Sequence, residues 1–274
     1  MAKNDDLYQG RFLSQGYPNL EKIVAEKHKQ REFSSAKEIM SCIDRLVDLK
    51  NGVNTIVDIG CGPHATNVKT LLDAHYNVVG VEPVTSFVES ARNMIGDPNR
   101  IIQGCAESMP FNNQSQRVVL MQNVLEHVDS VPKCLEEAYR VLAPDGVLYV
   151  STTNKLSVGG APLFSEFNIP FYSLFPSLVK ECYVYKQLHF DPRLANFTLR
   201  PAVHWFTYSG LCKAGRDAGF AHFYSKIDLV DLSSEYVKRG SLRRIALKLA
   251  RWSPWFRALV LSQTGHIIMW KRME

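Results

Sequence analysis

No apolar run in this chain approaches the roughly 20 residues that a membrane-crossing helix needs, so no helical span is expected. The six cysteines (Cys42, Cys61, Cys105, Cys134, Cys182 and Cys212) form no CxxC pair and show no zinc-type spacing, which argues against a structural zinc site. A chain of this length does not depend on disulfides. Its first residues, MAKNDDLYQG, lack the basic-then-apolar run of a secretory signal. The expectation is a cytoplasmic protein with free thiols. No internal repeat or low-complexity tract is present.

What is there is the composition of a packed protein. Of 274 residues, 46% are hydrophobic, too many for a disordered chain, and 16 Gly and 13 Pro follow no fibrous period. The length suits one large domain or a core with insertions. Net charge is +5, unevenly placed: from Asp231 to Glu274 nine Lys or Arg stand against three acids, a balance of +6 that leaves residues 1–230 at −1. Basicity belongs to the C-terminal part, and a general nucleic-acid binder is not indicated.

Two helical patterns open the chain, at about 18–30 and 35–49. In the second, Ile39, Cys42, Ile43, Leu46 and Leu49 recur at helical spacing behind Ser34 and Ser35. Strands are then expected at Asn54–Gly60, Asn77–Glu82, Arg100–Gln103, Arg117–Gln122 and Gly146–Thr152. Helices are expected at Thr66–Ala74, Ser86–Ile95 and Val131–Leu142. Short apolar strands alternating with helices give an α/β fold, a doubly wound parallel sheet covered on both faces. After Thr152 the rhythm breaks. Residues 154–206 hold 11 of the 29 aromatics, and Pro162, Pro170, Pro176, Pro192 and Pro201 prevent long regular elements. A helix at Tyr208–Ala218, a strand near Ala221–Val230, a basic helical stretch at 241–252 and a strand at His266–Lys271 complete the pattern.

The segment Val57-Asp58-Ile59-Gly60-Cys61-Gly62-Pro63-His64-Ala65 leaves the first core strand and enters a helix. Glycines there allow a tight turn and close approach of a ligand to the backbone near a helix N-terminus. Alone it also satisfies the dinucleotide fingerprint, Gly60-x-Gly62-x-x-Ala65, and an ordinary strand–helix turn would look the same. Glu82, ending the next strand, suits a grip on ribose hydroxyls in either case. Three further segments follow in order: Gly104-Cys105-Ala106-Glu107-Ser108-Met109-Pro110-Phe111, Asn123-Val124-Leu125-Glu126-His127-Val128 and Arg140-Val141-Leu142-Ala143-Pro144-Asp145-Gly146.

Together these four motifs resemble the class I S-adenosylmethionine-dependent methyltransferases, nearest the branch containing ubiquinone-biosynthesis O-methyltransferases. The resemblance spans about 50–153, and afterwards only His204-Trp205-Phe206-Thr207 and Ala218-Gly219-Phe220 extend it. It implies a Rossmann-like seven-stranded sheet with helices on both faces, capped by insertions, with S-adenosylmethionine as cofactor. The implied divisions are N-terminal helices at 1–50, a cofactor-binding core at 51–153 and an aromatic cap at 154–206. The core's C-terminal part follows at 207–274, with a basic amphipathic insertion at 231–265.

By position, the resemblance assigns Asp58, Gly60, Cys61 and Gly62 to the methionine and ribose part of the cofactor, and Glu82 to the ribose hydroxyls. Cys105, Ala106 and Glu107 fall where relatives hold adenine, and Gln122 where they contact the methionine end. Three positions depart from the pattern. His64 stands where relatives often have a third glycine. Cys105 replaces an acid that accepts the adenine amino group, with Glu107 beside it. Asn123 replaces the first acid of a divalent-ion site found in some relatives, leaving Glu126 and His127, and no metal is assigned.

Because a sulfonium cofactor arrives activated, the protein's task is alignment of a nucleophile and removal of a proton. Histidine titrates near neutrality and suits that proton transfer. His127 is the first choice of base, then His204 and His64. In the plainer reading Glu126-His127 cap and brace the following helix, His204 anchors the insertion, and His189 makes a structural polar contact.

Both insertions are expected at the carboxyl ends of the strands, where ligands bind in this fold. Most aromatics of 154–206 are expected to form a satellite core, with a few lining the pocket. In Ser241–Trp252, Leu242, Ile245, Leu249 and Trp252 share one helical face, and Arg243, Arg244, Lys248 and Arg251 the other. That is the pattern of an interfacial helix on anionic lipid, extending through 256, and equally of a surface helix whose apolar side covers the domain. The sequence therefore suggests a methyltransferase acting on a small-molecule or lipid-like acceptor at oxygen, with peripheral contact to an anionic membrane through 241–256. An NAD-dependent oxidoreductase and a non-catalytic binding protein of the methyltransferase fold are the alternatives.

Overall fold

The computed structural model describes residues 36–49, 54–154, 176, 179, 204–230, 241–262 and 264–272. The expected helix at 18–30, nearly all of the aromatic cap and His189 lie outside them. Helix α1 (Ala36–Ile43) is shorter than its sequence pattern, which continues as turns to Leu46.

From Ile56 strands and helices alternate as the apolar runs dictate: β1 (Ile56–Ile59), α2 (Thr66–Asp73), β2 (Val78–Glu82), α3 (Thr85–Ile95), β3 (Ile101–Gln103), β4 (Gln116–Gln122), α4 (Val131–Val141) and β5 (Leu142–Ser151). The chain continues with α5 (Tyr208–Asp217), β6 (His222–Tyr224), α6 (Lys226–Leu229), α7 (Ser241–Trp252), α8 (Pro254–Ser262) and β7 (His266–Trp270). The seven strands form one sheet in the order β3-β2-β1-β4-β5-β7-β6. The pairs from β3 to β5 are parallel, and β7 runs antiparallel to both β5 and β6.

Alternation of side chains along each strand divides the core in two. Ile56, Val118, Leu120, Val147 and Tyr149 face α1, α2 and α3, against Ile39, Ile43, Val68, Leu71 and Val88. Val57, Ile59, Val119, Met121, Leu148 and Val150 face α4 and α5, against Cys134, Leu135, Ala138 and Leu211. Both faces are covered, which is why these strands read as nearly continuous apolar runs. Cys42, Cys61, Cys105, Cys134 and Cys212 are free thiols.

Three local outcomes differ from the sequence pattern. The strand expected over Ala221–Val230 stops at Tyr224, because Ser225 and Asp228 form a reciprocal capping box that starts α6. Strand β5 begins at Leu142 rather than Gly146: Gln116 pairs with Leu142 and Val118 with Val147, so the Pro144-Asp145-Gly146 turn bulges from a continuing ladder. Helix α8 was not anticipated. Ser253 precedes Pro254 at its first position, and its Oγ accepts from the Phe256 N–H at 3.3 Å.

Arg140, which opens the last of the four motifs, ties it to the segment that follows β3. Its Nη1 donates to the Phe111 carbonyl (2.8 Å) and its Nη2 to the Met109 carbonyl (3.1 Å). Glu137 holds the guanidinium at 2.7 Å and accepts from the Met109 N–H at 2.9 Å. The pair fixes the segment after β3 against α4. R140M strands these carbonyls, and an equilibrium denaturant titration is expected to show a loss of about 2 kcal/mol. A loss within error would mean the network is ornamental to folding.

Candidate functional site

The carboxyl ends of β1 and β2 are joined by backbone and side-chain hydrogen bonds. Gly60 and Cys61 N–H both donate to the Val81 carbonyl, at 2.7 and 3.2 Å. Gly60 and Gly62 each have φ of +70°, a region that glycine enters without steric strain. At Gly60 the need is double, since a Cβ there would lie 2.8 Å from the Val124 side chain. Ala65, where α2 begins, is held at φ 42°.

Glu82 completes the turn. One carboxylate oxygen accepts from Gly62 N–H at 3.0 Å and the other from Val84 N–H at 3.2 Å. Asp58 is buried at 2% exposure, and its Oδ2 meets no donor among the described residues. Burial pushes both carboxyl groups up to about 7, against hydrogen bonds from Val84 and Gly62 at Glu82 and from Asn67 at Asp58. Burial and the two neighbouring acids also push the Cys61 thiol up, so it is no nucleophile. A glycine cradle, an unpartnered buried acceptor and a second acid fit a ligand that brings donors and positive charge.

The segment assigned to adenine follows from the same edge. Gly104 N–H donates to the Glu82 carbonyl at 3.1 Å. Cys105 and Ala106 are buried behind it, and a Glu107 oxygen accepts from Asp129 N–H at 2.8 Å. Gln122 ends β4 beside Ser151 of β5. Burial, with Glu107 nearby, raises the Cys105 thiol.

The loop after β4 carries the remaining candidates. Asn123 adopts φ 54°, which asparagine tolerates better than most residues. Glu126 is buried and accepts from Thr152 Oγ1 at 2.7 Å, so it braces the end of β5, while Ser130 caps α4. His127 is buried in the same turn. His204 returns to this loop: its N–H donates to the Glu126 carbonyl at 3.2 Å, and its Nε2 lies 2.9 Å from the Val128 carbonyl. A carbonyl only accepts, so that contact places the proton on Nε2 and makes Nδ1 the basic nitrogen of the neutral ring. The structure thus brings together Asp58, Gly60, Gly62 and Glu82, and separately Glu126, His127 and His204. Val124 packed on Gly60 joins the two groups.

Sequence reasoning missed Gly80 and Thr152. Gly80 pairs with Asp58 across the sheet, and a Cβ on it would lie 2.8 Å from Cys61 Sγ. A glycine inside the strand Asn77–Glu82 was the available signal. Thr152 carried none, because its partner is 26 positions away.

Comparison with known proteins agrees with this arrangement. The family described as "Methyltransferase domain" matches residues 57–150. The chain is 31% identical over 103 residues to a ubiquinone biosynthesis O-methyltransferase of Azorhizobium caulinodans, covering 36% of this chain and 40% of that protein. It is 31% identical over 120 residues to the mitochondrial enzyme of the same name from Rattus norvegicus, covering 40% and 34%. These matches span less than half of either relative. Among solved structures, an S-adenosylmethionine-dependent methyltransferase from Methanosarcina mazei shares the fold with a TM-score of 0.50 at 18% identity, over 85% of this chain and 97% of that one. One from Mesorhizobium loti does so with a TM-score of 0.50 at 15% identity, over 87% and 98%. With the glycine turn, the two acids and the sheet order in place, residues 57–150 match a methyltransferase domain, and the chain has the Rossmann-like fold of the class I S-adenosylmethionine-dependent methyltransferases.

Proposed function

We propose that the chain binds S-adenosylmethionine at the carboxyl ends of β1 and β2 and transfers its methyl group to the oxygen of a small-molecule or lipid-like acceptor. The observation that carries the reading is Asp58 Oδ2, a buried acceptor that meets no donor among the described residues, two residues before the Gly60–Gly62 turn. Asp58 suits the cationic methionine end, Glu82 the ribose hydroxyls, and Cys105, Ala106 and Glu107 the adenine. When bound, the cofactor would supply an activated methyl group, and the protein's part would be to hold an acceptor hydroxyl in line with it and take up the hydroxyl proton. His127 and His204 are the groups proposed to take that proton, one at the buried end of the loop and one through Nδ1.

Oxygen as target rests on likeness to the two ubiquinone-type relatives. Calorimetric titration is expected to show saturable one-to-one binding of S-adenosylmethionine and none of NAD. Binding of NAD alone would overturn the proposal, and binding of neither would favour a non-catalytic role. For the base, H127Q should lose about 100-fold or more in turnover, measured in a labelled-methyl screen of hydroxylated acceptors. Its cofactor affinity should stay within about threefold of the parent value, as expected of a group acting only on the proton.

The raised acids give the site a pH signature. A buried carboxyl with its folded value near 7 favours the neutral form. Its stabilising contribution to the ligand-free protein is complete below about pH 4, the unfolded value, and is lost as pH rises through about 7. A cationic ligand favours the carboxylates, so binding should release protons below pH 7. Affinity is expected to fall roughly tenfold per unit for each proton released. Titrations at pH 6 and 8 in buffers of different ionisation enthalpy read this directly. D58N should weaken binding and flatten the slope, and an unchanged slope would remove Asp58 from the role.

A further inference from the structure

The connection from β6 to β7 carries an apolar surface that points away from the domain. Ile245 is 53% exposed, Trp252 84%, Trp255 89% and Leu259 59%. On α7 the positions 245, 249 and 252 share one helical face, and Arg244 and Lys248 flank it, both exposed. The opposite face packs inward: Ala250 is buried, Leu247 rests on the core, and Arg251 donates to the Ile227 and Val230 carbonyls at 2.8 and 2.6 Å. On α8, Arg257 binds Asp228 at 2.7 Å, which leaves Trp255 and Leu259 outward. These anchors fix the outward face. Among the described residues nothing covers it.

We infer that this face is a docking surface for an anionic lipid bilayer. Residues 241–262 contain five Lys or Arg and no acid, so the charge complement is a surface of negative headgroups. Two exposed tryptophans with Leu, Ile and flanking cations are the side chains that settle at the boundary between headgroups and acyl chains. A second copy of the chain fits poorly, because the basic strips would meet like charge. Strand β6 ends and β7 begins at the sheet edge that carries Gly60 and Glu82, so the connection that bears this face leaves and rejoins the sheet on the side of the glycine turn. The inference does not depend on which acceptor is methylated.

Vesicle sedimentation of the full chain tests it, with phosphatidylglycerol–phosphatidylcholine vesicles against phosphatidylcholine alone. Binding is expected to the anionic vesicles, weakened by added salt, with a blue shift of tryptophan emission. R244Q/K248Q should weaken it roughly 25-fold, the equivalent of about 1 kcal/mol for each cation near an anionic leaflet. W252S/W255S should abolish the blue shift and reduce binding at least tenfold. S-adenosylmethionine affinity, measured alongside, should be unchanged in both variants, which separates this surface from the cofactor site. No binding to anionic vesicles, or binding undiminished in the variants, would overturn the inference. So would a doubled molecular mass in solution that W252S/W255S returns to a monomer.

Discussion

The carboxylate of Glu82 ties the end of β2 to the loop leaving β1, and the geometry of the site hangs from that tie. With its two oxygens held by Gly62 and Val84 N–H groups, the loop cannot slide along the strand. Gly60 and Cys61 N–H groups on the Val81 carbonyl fix the same register from the backbone side. Positive φ at Gly60 and Gly62 turns the chain sharply enough for α2 to start at Thr66, over the sheet. Asp58 is then left buried below the turn, with one oxygen unmatched among the described residues. Two backbone donors do not fully offset the burial of a charge, which is why Glu82 remains raised despite them.

The parts of this arrangement legible in the sequence are those with short-range causes. Glycines 60 and 62, the apolar runs of β1, β2, β4 and β5 and the helical spacing of α4 each state their structure locally, and the seven-stranded sheet was implied by the motifs' resemblance. The rest depended on partners distant in the chain. The Thr152–Glu126 bond joins positions 26 apart, and the His204–Val128 contact joins positions 76 apart. No local pattern marks either. At Ala221–Val230 the local signals competed. The apolar residues suggested a strand throughout, and the capping box of Ser225 and Asp228 won at its C-terminal half. A side-chain oxygen that satisfies a helix N-terminus outweighs a modest strand propensity.

The two histidines show how one contact changes a role without deciding it. His204 anchors the returning chain through its backbone N–H and its Nε2, as a bracing residue would. That same contact orients the ring and fixes which nitrogen is basic. Anchoring and proton transfer are therefore compatible, since a base needs a fixed tautomer and a fixed direction. Glu126 differs: its bond to Thr152 Oγ1 ties the β4 loop to the end of β5. It positions the turn that presents His127.

The orientation of α7 illustrates the limit of amphipathic patterns. A sequence shows that large apolar and basic residues occupy different faces, and it does not say which face meets the domain. Here the domain decides through its own unmet groups. The carbonyls of Ile227 and Val230 lie where α6 ends, and the last carbonyls of a helix need donors from elsewhere. Arg251 supplies them with Nε and Nη2. With Arg251 tied to α6, Leu247, four positions before it on the helix, rests on the core, and Ala250 is buried on the domain side. Ile245, Leu249 and Trp252 are rotated outward as a result. One bidentate hydrogen-bonding requirement thus turns the bulky apolar face of α7 away from the core.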